Sequence, residues 1–196
     1  MSHLQPHIRL VVGLGNPGAQ YASTWHNLGF LVVERLAKNF KIALSKNETY
    51  QGILGQKNLE GNVLNLFLPL TFVNNSGEAV LKLVKRKEFS PENVLVVCDD
   101  LNLDFGQLRL KAGGSDGGHH GLQSIINSLA DDSFARLRFG IGRPENREDV
   151  VGYVLTPFTP EEKRDLPALL KKAAECCETW LSQGTEKTMN QFNKRI

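Results

Sequence analysis

The chain has 196 residues, of which 41% are hydrophobic and 22% are charged. This composition is typical of a folded globular protein and excludes a largely disordered chain. The 23 Lys and Arg residues nearly balance the 21 Asp and Glu residues, and the net charge of +2 excludes a binder driven by a basic tail while allowing a local basic patch.

The first half of the chain alternates between apolar strands and amphipathic helices. Ile8–Leu14 is a continuous apolar run, which predicts a strand buried on both faces. A loop follows, and then apolar residues with helical spacing predict a helix that ends near Phe40. Asn75 and Glu78 have the spacing of a capping box before another helix. The other elements predicted here are a strand pair, Tyr50–Gln56 and Asn62–Leu68, and the capped helix, Ala79–Lys87.

The second half continues the alternation. Three strands are predicted here, Asn93–Cys98, Gln107–Ala112 and Arg136–Ile141. A helix near Leu122–Leu129 is predicted between the second and the third of them. Thr159, Pro160 and Glu162 are suited to the N-cap and first turn of a long helical region, which Pro167 is expected to kink or split. This order of elements, with one antiparallel pair, predicts a single-domain α/β sandwich on a twisted mixed β-sheet flanked by helices.

The cysteines, the N-terminus and the lengths of the apolar runs distinguish a cytoplasmic protein from a secreted or membrane-spanning one. The three cysteines, Cys98, Cys176 and Cys177, suit reduced thiols better than a disulfide framework, and none has zinc-site spacing. No apolar run approaches the ~18 residues of a membrane span, and the N-terminus lacks a secretory h-region. We therefore expect a cytoplasmic protein without a metal, in which residues 1–7 form a flexible tail.

The segment Gly13–Gly18 follows the first strand and matches G-x-G-x-x-G. A dinucleotide site would need a helix to begin here and an acidic residue at the end of the next strand. Pro17 and the following loop disfavour that helix, and Glu34 lies within a later one. A tight turn explains the glycines, and it places the carboxamide of Asn16 at the end of a strand.

A histidine and two carboxylates form the strongest candidate for acid–base chemistry. His26 begins a helix, and Asp99 and Asp100 follow the apolar run at the carboxyl end of a predicted strand, where sites collect in α/β sheets. The alternative is that one of the two aspartates only forms a turn or a cap.

The glycine-rich loop 113–121 contains the adjacent residues His119 and His120. Adjacent histidines suggest a metal, but no third ligand has helpful spacing. Ser115 lacks a nucleophile elbow, which disfavours a covalent mechanism. Arg109, Lys111 and Arg138 flank the loop on predicted strands, where they suit phosphate contacts.

Four segments together resemble a bacterial-type peptidyl-tRNA hydrolase. They are VVGLGNPGAQYASTWHNLGF, LPLTFVNNSGEAV, VLVVCDDLNLDFGQLRLKAGGSDGGHHGLQSI and RLRFGIGRP. The resemblance extends from about residue 8 to residue 190, and four motifs in order are more specific than any one. It implies a monomeric enzyme without metal or cofactor, which cleaves the ester between a peptide and the 3′ ribose of tRNA and so recycles tRNA from abandoned translation.

The resemblance also implies roles for individual residues. His26 is the general base, and Asp99 is the carboxylate that orients it. The substrate-binding residues are Asn16, Tyr21, Phe72, Asn74 and His120, and the contacts to tRNA phosphate are Lys111 and Arg138. These residue types suit the reaction, because a neutral imidazole can deprotonate water and carboxamides can stabilise an oxyanion.

Three positions depart from the usual family pattern. His120 replaces an asparagine, so that a titratable imidazole takes over part of the role of an amide. Trp25 replaces an arginine beside His26, and its flat ring is expected to face a base or a ribose. Val73 replaces a methionine, which we interpret as a change in packing only. The change to His120 keeps a second hypothesis open, in which the protein is a catalytically quiet RNA-binding relative that resembles organellar splicing factors. A third hypothesis, a dinucleotide-dependent oxidoreductase, is supported by the glycine motif alone.

Overall fold

Seven strands make up a single mixed sheet in the computed structural model, which describes residues 7–59, 61–143 and 150–193. In chain order, β1 to β7 are His7–Gly13, Ser45–Asn47, Gly52–Leu59, Asn62–Pro69, Val94–Asp100, Leu108–Lys111 and Ala135–Gly140. Their order across the sheet is β2-β3-β4-β1-β5-β7-β6. The central strands β4, β1, β5 and β7 are mutually parallel, whereas β2, β3 and β6 add antiparallel edges.

Helices cover both faces of this sheet, which confirms the predicted α/β sandwich. In chain order, α1 to α6 are Leu28–Phe40, Ser76–Lys87, His120–Leu129, Val150–Val154, Pro160–Gln183 and Thr185–Phe192. One apolar core joins α1 and α5 to the first face, and the other joins α2 and α3 to the second. Because the central strands are covered on both faces, every residue of β5 is buried.

The start of α5 follows the prediction, but the start of α2 does not. Thr159 Oγ1 accepts from the backbone N–H of Glu162, whose side chain accepts in return from the backbone N–H of Thr159. At α2 the predicted capping box is wrong, because the Asn75 side chain makes no capping hydrogen bond. There the backbone N–H of Gly77 donates to Ser124 Oγ of α3, so a tertiary contact replaces the local cap.

Two further expectations need correction, and three short elements were not predicted. Pro167 does not split α5, which is continuous from Pro160 to Gln183, because its buried face continues to pack in the core on the C-terminal side of the proline. His7 already belongs to β1, and residues 1–6 of the expected tail lie outside the described residues. The short elements β2, α4 and α6 were not predicted, since they lack a long apolar period.

Two further predictions concern the state of the cysteines and the presence of membrane-spanning helices. Cys98, Cys176 and Cys177 are free and buried, as expected for reduced thiols. Burial raises the pKa of the Cys176 thiol to about 12. Among the described helices, none combines the length and the apolar character that a bilayer span requires.

Candidate active site

A cleft of about 540 Å³ opens where the parallel strands end. Because β1, β4, β5 and β7 run in the same direction, their carboxyl ends meet at this edge of the sheet. Eight of the nine predicted site residues line the cleft: Asn16, Tyr21, His26, Phe72, Asn74, Asp99, His120 and Arg138. The ninth, Lys111, lies on the edge strand β6 and is not part of the lining.

Close packing of two glycines sets the position of His26. His26 lies in a 3-10 turn, Trp25–Asn27, that leads directly into α1. A Cβ on Gly29 would lie 2.4 Å from both Leu14 N and Val97 O, and a Cβ on Gly13 would lie 2.3 Å from Gly29 O. The absence of side chains at both positions therefore lets the helix backbone rest on the ends of β1 and β5. As a result, His26 faces the end of β5.

One carboxylate oxygen accepts hydrogen bonds from two imidazoles. His26 Nδ1 lies 2.9 Å and His119 Nε2 lies 3.1 Å from Asp99 Oδ1, and the two rings are 4.9 Å apart. Burial alone would raise the pKa of the Asp99 carboxyl, but the two imidazoles together lower that pKa well below its usual range. Asp99 is therefore an anion at neutral pH.

The same contact changes the basicity of His26. Burial alone would lower the pKa of His26, but the charge of Asp99 and the hydrogen bond to it together raise that pKa above its ordinary value. Since Nδ1 donates to Asp99, Nε2 is the nitrogen that can accept a proton on the cleft side. The side chain is only 12% exposed and lines the cleft, so Nε2 is the nitrogen that remains for a group bound there.

The role of His119 follows from its second nitrogen, and sequence reasoning missed it as a site residue. His119 Nδ1 accepts from the backbone N–H groups of Gly121 and Leu122, so His119 is the side-chain N-cap of α3. An imidazole nitrogen that accepts hydrogen bonds carries no proton, and Nε2 must therefore carry it and donate to Asp99. The adjacent pair His119 and His120 was the available signal, but the sequence does not show which imidazole turns inward.

The cluster of His26, Asp99 and His119 has ligand-type atoms within 4.8 Å of one another, as a metal site would need. A metal-binding histidine uses one nitrogen on the ion and donates a proton from the other. His119 does the reverse, because Nδ1 accepts from two backbone donors and Nε2 keeps its proton. The three side chains therefore fit a carboxylate that accepts two hydrogen bonds, and they do not fit a metal ion.

The carboxamide of Asn16 is oriented by the backbone around it. Its Oδ1 accepts from the backbone N–H of Val73 at 2.9 Å, which assigns the amide nitrogen to the cleft. Two further hydrogen bonds join the Asn16 backbone to the side chain of Asn27. Asn16 thus presents one or two fixed N–H donors beside His26 at the end of β1.

Other cleft residues are accessible to a ligand. Phe72 is 57% exposed, and Asn74, Asn75 and His120 are also exposed, while Tyr21 is half-buried. Asn75, which the sequence assigned to helix capping, joins Asn74 in the cleft lining. These side chains surround the buried polar cluster and form its entrance.

The second aspartate has a different partner. Asp100 Oδ2 lies 2.8 Å from Arg138 Nε, in a close ion pair whose atoms are not aligned as a hydrogen bond. Asp100 Oδ1 accepts from the backbone N–H of Asn102, so the turn alternative holds for this residue while Asp99 faces the imidazoles. Arg138 is therefore held at the side of the cleft.

One sequence-based expectation fails at this edge of the sheet. Trp25 is only 2% exposed and packs among aromatic rings, so it offers no surface to a base or ribose. The turn that the sequence favoured over a dinucleotide site is confirmed, because the glycine motif is followed by a 3-10 turn, Ala19–Tyr21, and not by the long helix that a dinucleotide site needs. Val73 is buried in the core beside α2 and α3, as a packing residue should be.

Comparisons with known proteins agree with the geometry. A family model described as peptidyl-tRNA hydrolase matches residues 10–196. A peptidyl-tRNA hydrolase of Syntrophotalea carbinolica is 42% identical over 189 residues, covering 96% of this chain and 98% of the relative. One from Aquifex aeolicus is 44% identical over 194 residues, covering 96% and 97%. The crystal structure of peptidyl-tRNA hydrolase from Acinetobacter baumannii has a TM-score of 0.89 at 39% identity, with 98% of this chain and 97% of that chain covered.

Proposed function

Since this chain belongs to the peptidyl-tRNA hydrolase family, we propose that it cleaves the ester between the peptide and the 3′ ribose of peptidyl-tRNA with His26 as the general base. The observation that carries this assignment is the hydrogen bond of 2.9 Å between His26 Nδ1 and Asp99 Oδ1, which leaves Nε2 to accept a proton in the cleft. The released tRNA returns to translation.

The attacking group is a water molecule that donates a hydrogen bond to His26 Nε2. As its oxygen bonds to the ester carbonyl carbon, the proton passes to Nε2 and an imidazolium forms. The anionic Asp99 stabilises this imidazolium and holds the ring in the required tautomer. The raised pKa of His26 increases its strength as a base, at the cost of a larger protonated fraction near neutral pH.

The negative charge that develops on the carbonyl oxygen needs hydrogen-bond donors. The amide nitrogen of Asn16 is fixed by the contact between its Oδ1 and Val73, so it is available without reorganisation. Asn74 lies on the exposed side of the cleft and contacts the peptide. When the tetrahedral intermediate collapses, the imidazolium returns its proton to the ribose oxygen, the ester bond breaks, and the carboxylic acid and tRNA separate.

The remaining assignments concern the rest of the substrate. Tyr21, Phe72 and His120 surround the entrance and contact the peptide and the end of the tRNA, while Arg138 and Lys111 meet its phosphates. A single chain supplies all of these groups, which supports a monomer, and the mechanism requires neither metal nor cofactor. Because the substrate is a product of translation, we place the reaction in the cytoplasm.

The test is the release of free tRNA from N-acetyl-aminoacyl-tRNA by the wild type and by His26→Ala. We expect the wild type to release tRNA and the variant to lose roughly two to four orders of magnitude in turnover, the usual contribution of a general base. Melting temperatures of both proteins control for folding. Binding of the tRNA without cleavage by the wild type would overturn the proposal and favour the RNA-binding relative.

A further inference from the structure

Trp25 precedes the proposed base in the chain, but its side chain turns away from the reacting groups into a cluster of aromatic rings. Its ring centroid lies 4.8 Å from that of Phe158 and 5.4 Å from that of Phe105, with edge-to-face geometry in both pairs. Tyr153 stacks on it at 6.3 Å. Such pairs stabilise a packing arrangement beyond the burial of their area alone.

This aromatic cluster joins the turn that carries His26 to α4 and the segment that follows it. Tyr153 belongs to α4, and Phe158 lies shortly after it. The backbones are joined as well, since Phe158 N–H donates to Ser23 O at 3.0 Å and Thr24 forms an antiparallel bridge with Pro157. In addition, α4 contacts the 3-10 turn Trp25–Asn27 directly.

α4 needs this support because its described part, Val150–Val154, has only five residues, which are too few to form a stable helix by themselves. It supplies an apolar wall to the cleft through Val150, Val151 and Val154. Val150 is 39% and Val151 is 66% exposed, whereas Val154 is buried. The position of this wall therefore depends on the aromatic cluster and the backbone contacts that hold α4.

We propose that Trp25 is a positioning residue that fixes α4, so that the wall of Val150, Val151 and Val154 receives an apolar side chain of the peptide residue esterified to the tRNA. The inference rests on the proposed function, since it assigns part of the same cleft to the acyl group. Trp25 acts through Tyr153 and α4, and it contacts neither the substrate nor the reacting atoms. Its effect is on substrate preference and not on the proton transfer.

The test compares N-acetyl-phenylalanyl and N-acetyl-glycyl esters that are carried on the same tRNA. In Trp25→Leu, KM for the phenylalanyl ester should rise about tenfold relative to KM for the glycyl ester, the range in which an apolar pocket discriminates. The kcat values of both substrates should change little. Tyr153→Leu removes the same stacking from the α4 side and should reproduce the altered KM ratio, while Trp25→Phe should preserve most of the wild-type ratio.

Trp180→Leu is the matched control, because Trp180 is equally buried but lies on α5 and outside the cleft lining. It should lower the melting temperature without changing the KM ratio. Equal changes for both esters in Trp25→Leu and Tyr153→Leu, or the same change of ratio in Trp180→Leu, would overturn the inference. If Trp25→Leu does not fold, Tyr153→Leu and Trp25→Phe decide the question. A wild type that cleaves neither ester would instead overturn the proposed function itself.

Discussion

Asp99 shows how one residue can organise two imidazoles with different tasks. It accepts from His26 Nδ1 and His119 Nε2 through the same oxygen, Oδ1. His26 has a free nitrogen toward the cleft, whereas both nitrogens of His119 are already engaged, one by Asp99 and one by the backbone of α3. In the proposed mechanism, His119 is therefore a positioning residue, which fixes the carboxylate that orients the proposed base.

We predict that His119→Ala lowers both catalysis and stability. Loss of one hydrogen bond to the Asp99 anion should reduce kcat by roughly tenfold. Loss of the cap at α3 should cost about 1 kcal/mol in the free energy of unfolding. Steady-state kinetics and chemical denaturation measure the two effects, and His119→Gln, which retains a donor and an acceptor, should recover part of kcat. An unchanged kcat in folded His119→Ala would show that His26 and Asp99 need no such support.

At the scale of elements, the glycine-rich loop is anchored by a buried guanidinium. Arg136 of β7 has no exposed surface and donates to the backbone carbonyls of Gly114 and Ser115, as well as to those of Asp132 and Phe134. The loop contains His119, the N-cap of α3, so this anchor holds the N-terminus of α3 next to β5. The basic residues of this strand thus have separate tasks, with Arg136 inward and Arg138 toward the cleft.

Arg136→Lys should show how much the anchor contributes. A lysine cannot reproduce the planar fork of donors, and losing hydrogen bonds from a charged donor should destabilise the fold by about 3 kcal/mol. That loss corresponds to a fall of roughly 6–12 °C in the melting temperature of a chain of this size. Arg109→Lys on the neighbouring strand is the control, because Arg109 is exposed. Equal melting temperatures for the two variants would refute the anchoring role.

Elements that are specified by residues close together in the chain were predictable from the sequence. Elements that depend on contacts between distant residues were not. The apolar run before Cys98 and the capping box at Thr159 encode β5 and the start of α5 within a few residues. The start of α2 relies on Ser124 of another helix, which no local spacing reveals. The burial of Trp25 likewise depends on Tyr153 and Phe158, more than a hundred residues later in the chain.

At the scale of the whole molecule, the parallel order β4-β1-β5-β7 brings distant segments to one edge. The candidate residues Asn16 and Asp99 were identified because each follows a predicted strand, and Asn74 was identified from the resemblance to the family. Their mutual geometry was not predictable, since it depends on strand order. Neither was the difference between Arg138, which lies in the cleft, and Lys111, which lies on the outer strand.

The placement of these two basic residues predicts different effects on tRNA binding. Lys111→Gln should raise KM, reduce the slope of log(kcat/KM) against log salt by about one, and leave kcat almost unchanged. Arg138→Gln should do the same and also lower the melting temperature, because it leaves the buried Asp100 without its counter-charge. Lys46→Gln, on the opposite edge strand β2, should leave the salt slope unchanged. A wild-type slope in Lys111→Gln would show that this residue faces away from the tRNA.

The proposed general-base role of His26 is tested most directly by the dependence of kcat/KM on pH in the wild type and in Asp99→Asn. Because the pKa of His26 is raised, the wild-type rate should increase with pH through an inflection above the ordinary histidine value of 6.5. Removing the carboxylate charge leaves burial to lower that pKa, so in Asp99→Asn the inflection should move to lower pH while the plateau falls by roughly two to four orders of magnitude. A folded Asp99→Asn variant with the wild-type inflection and plateau would contradict the assignment of His26 and Asp99.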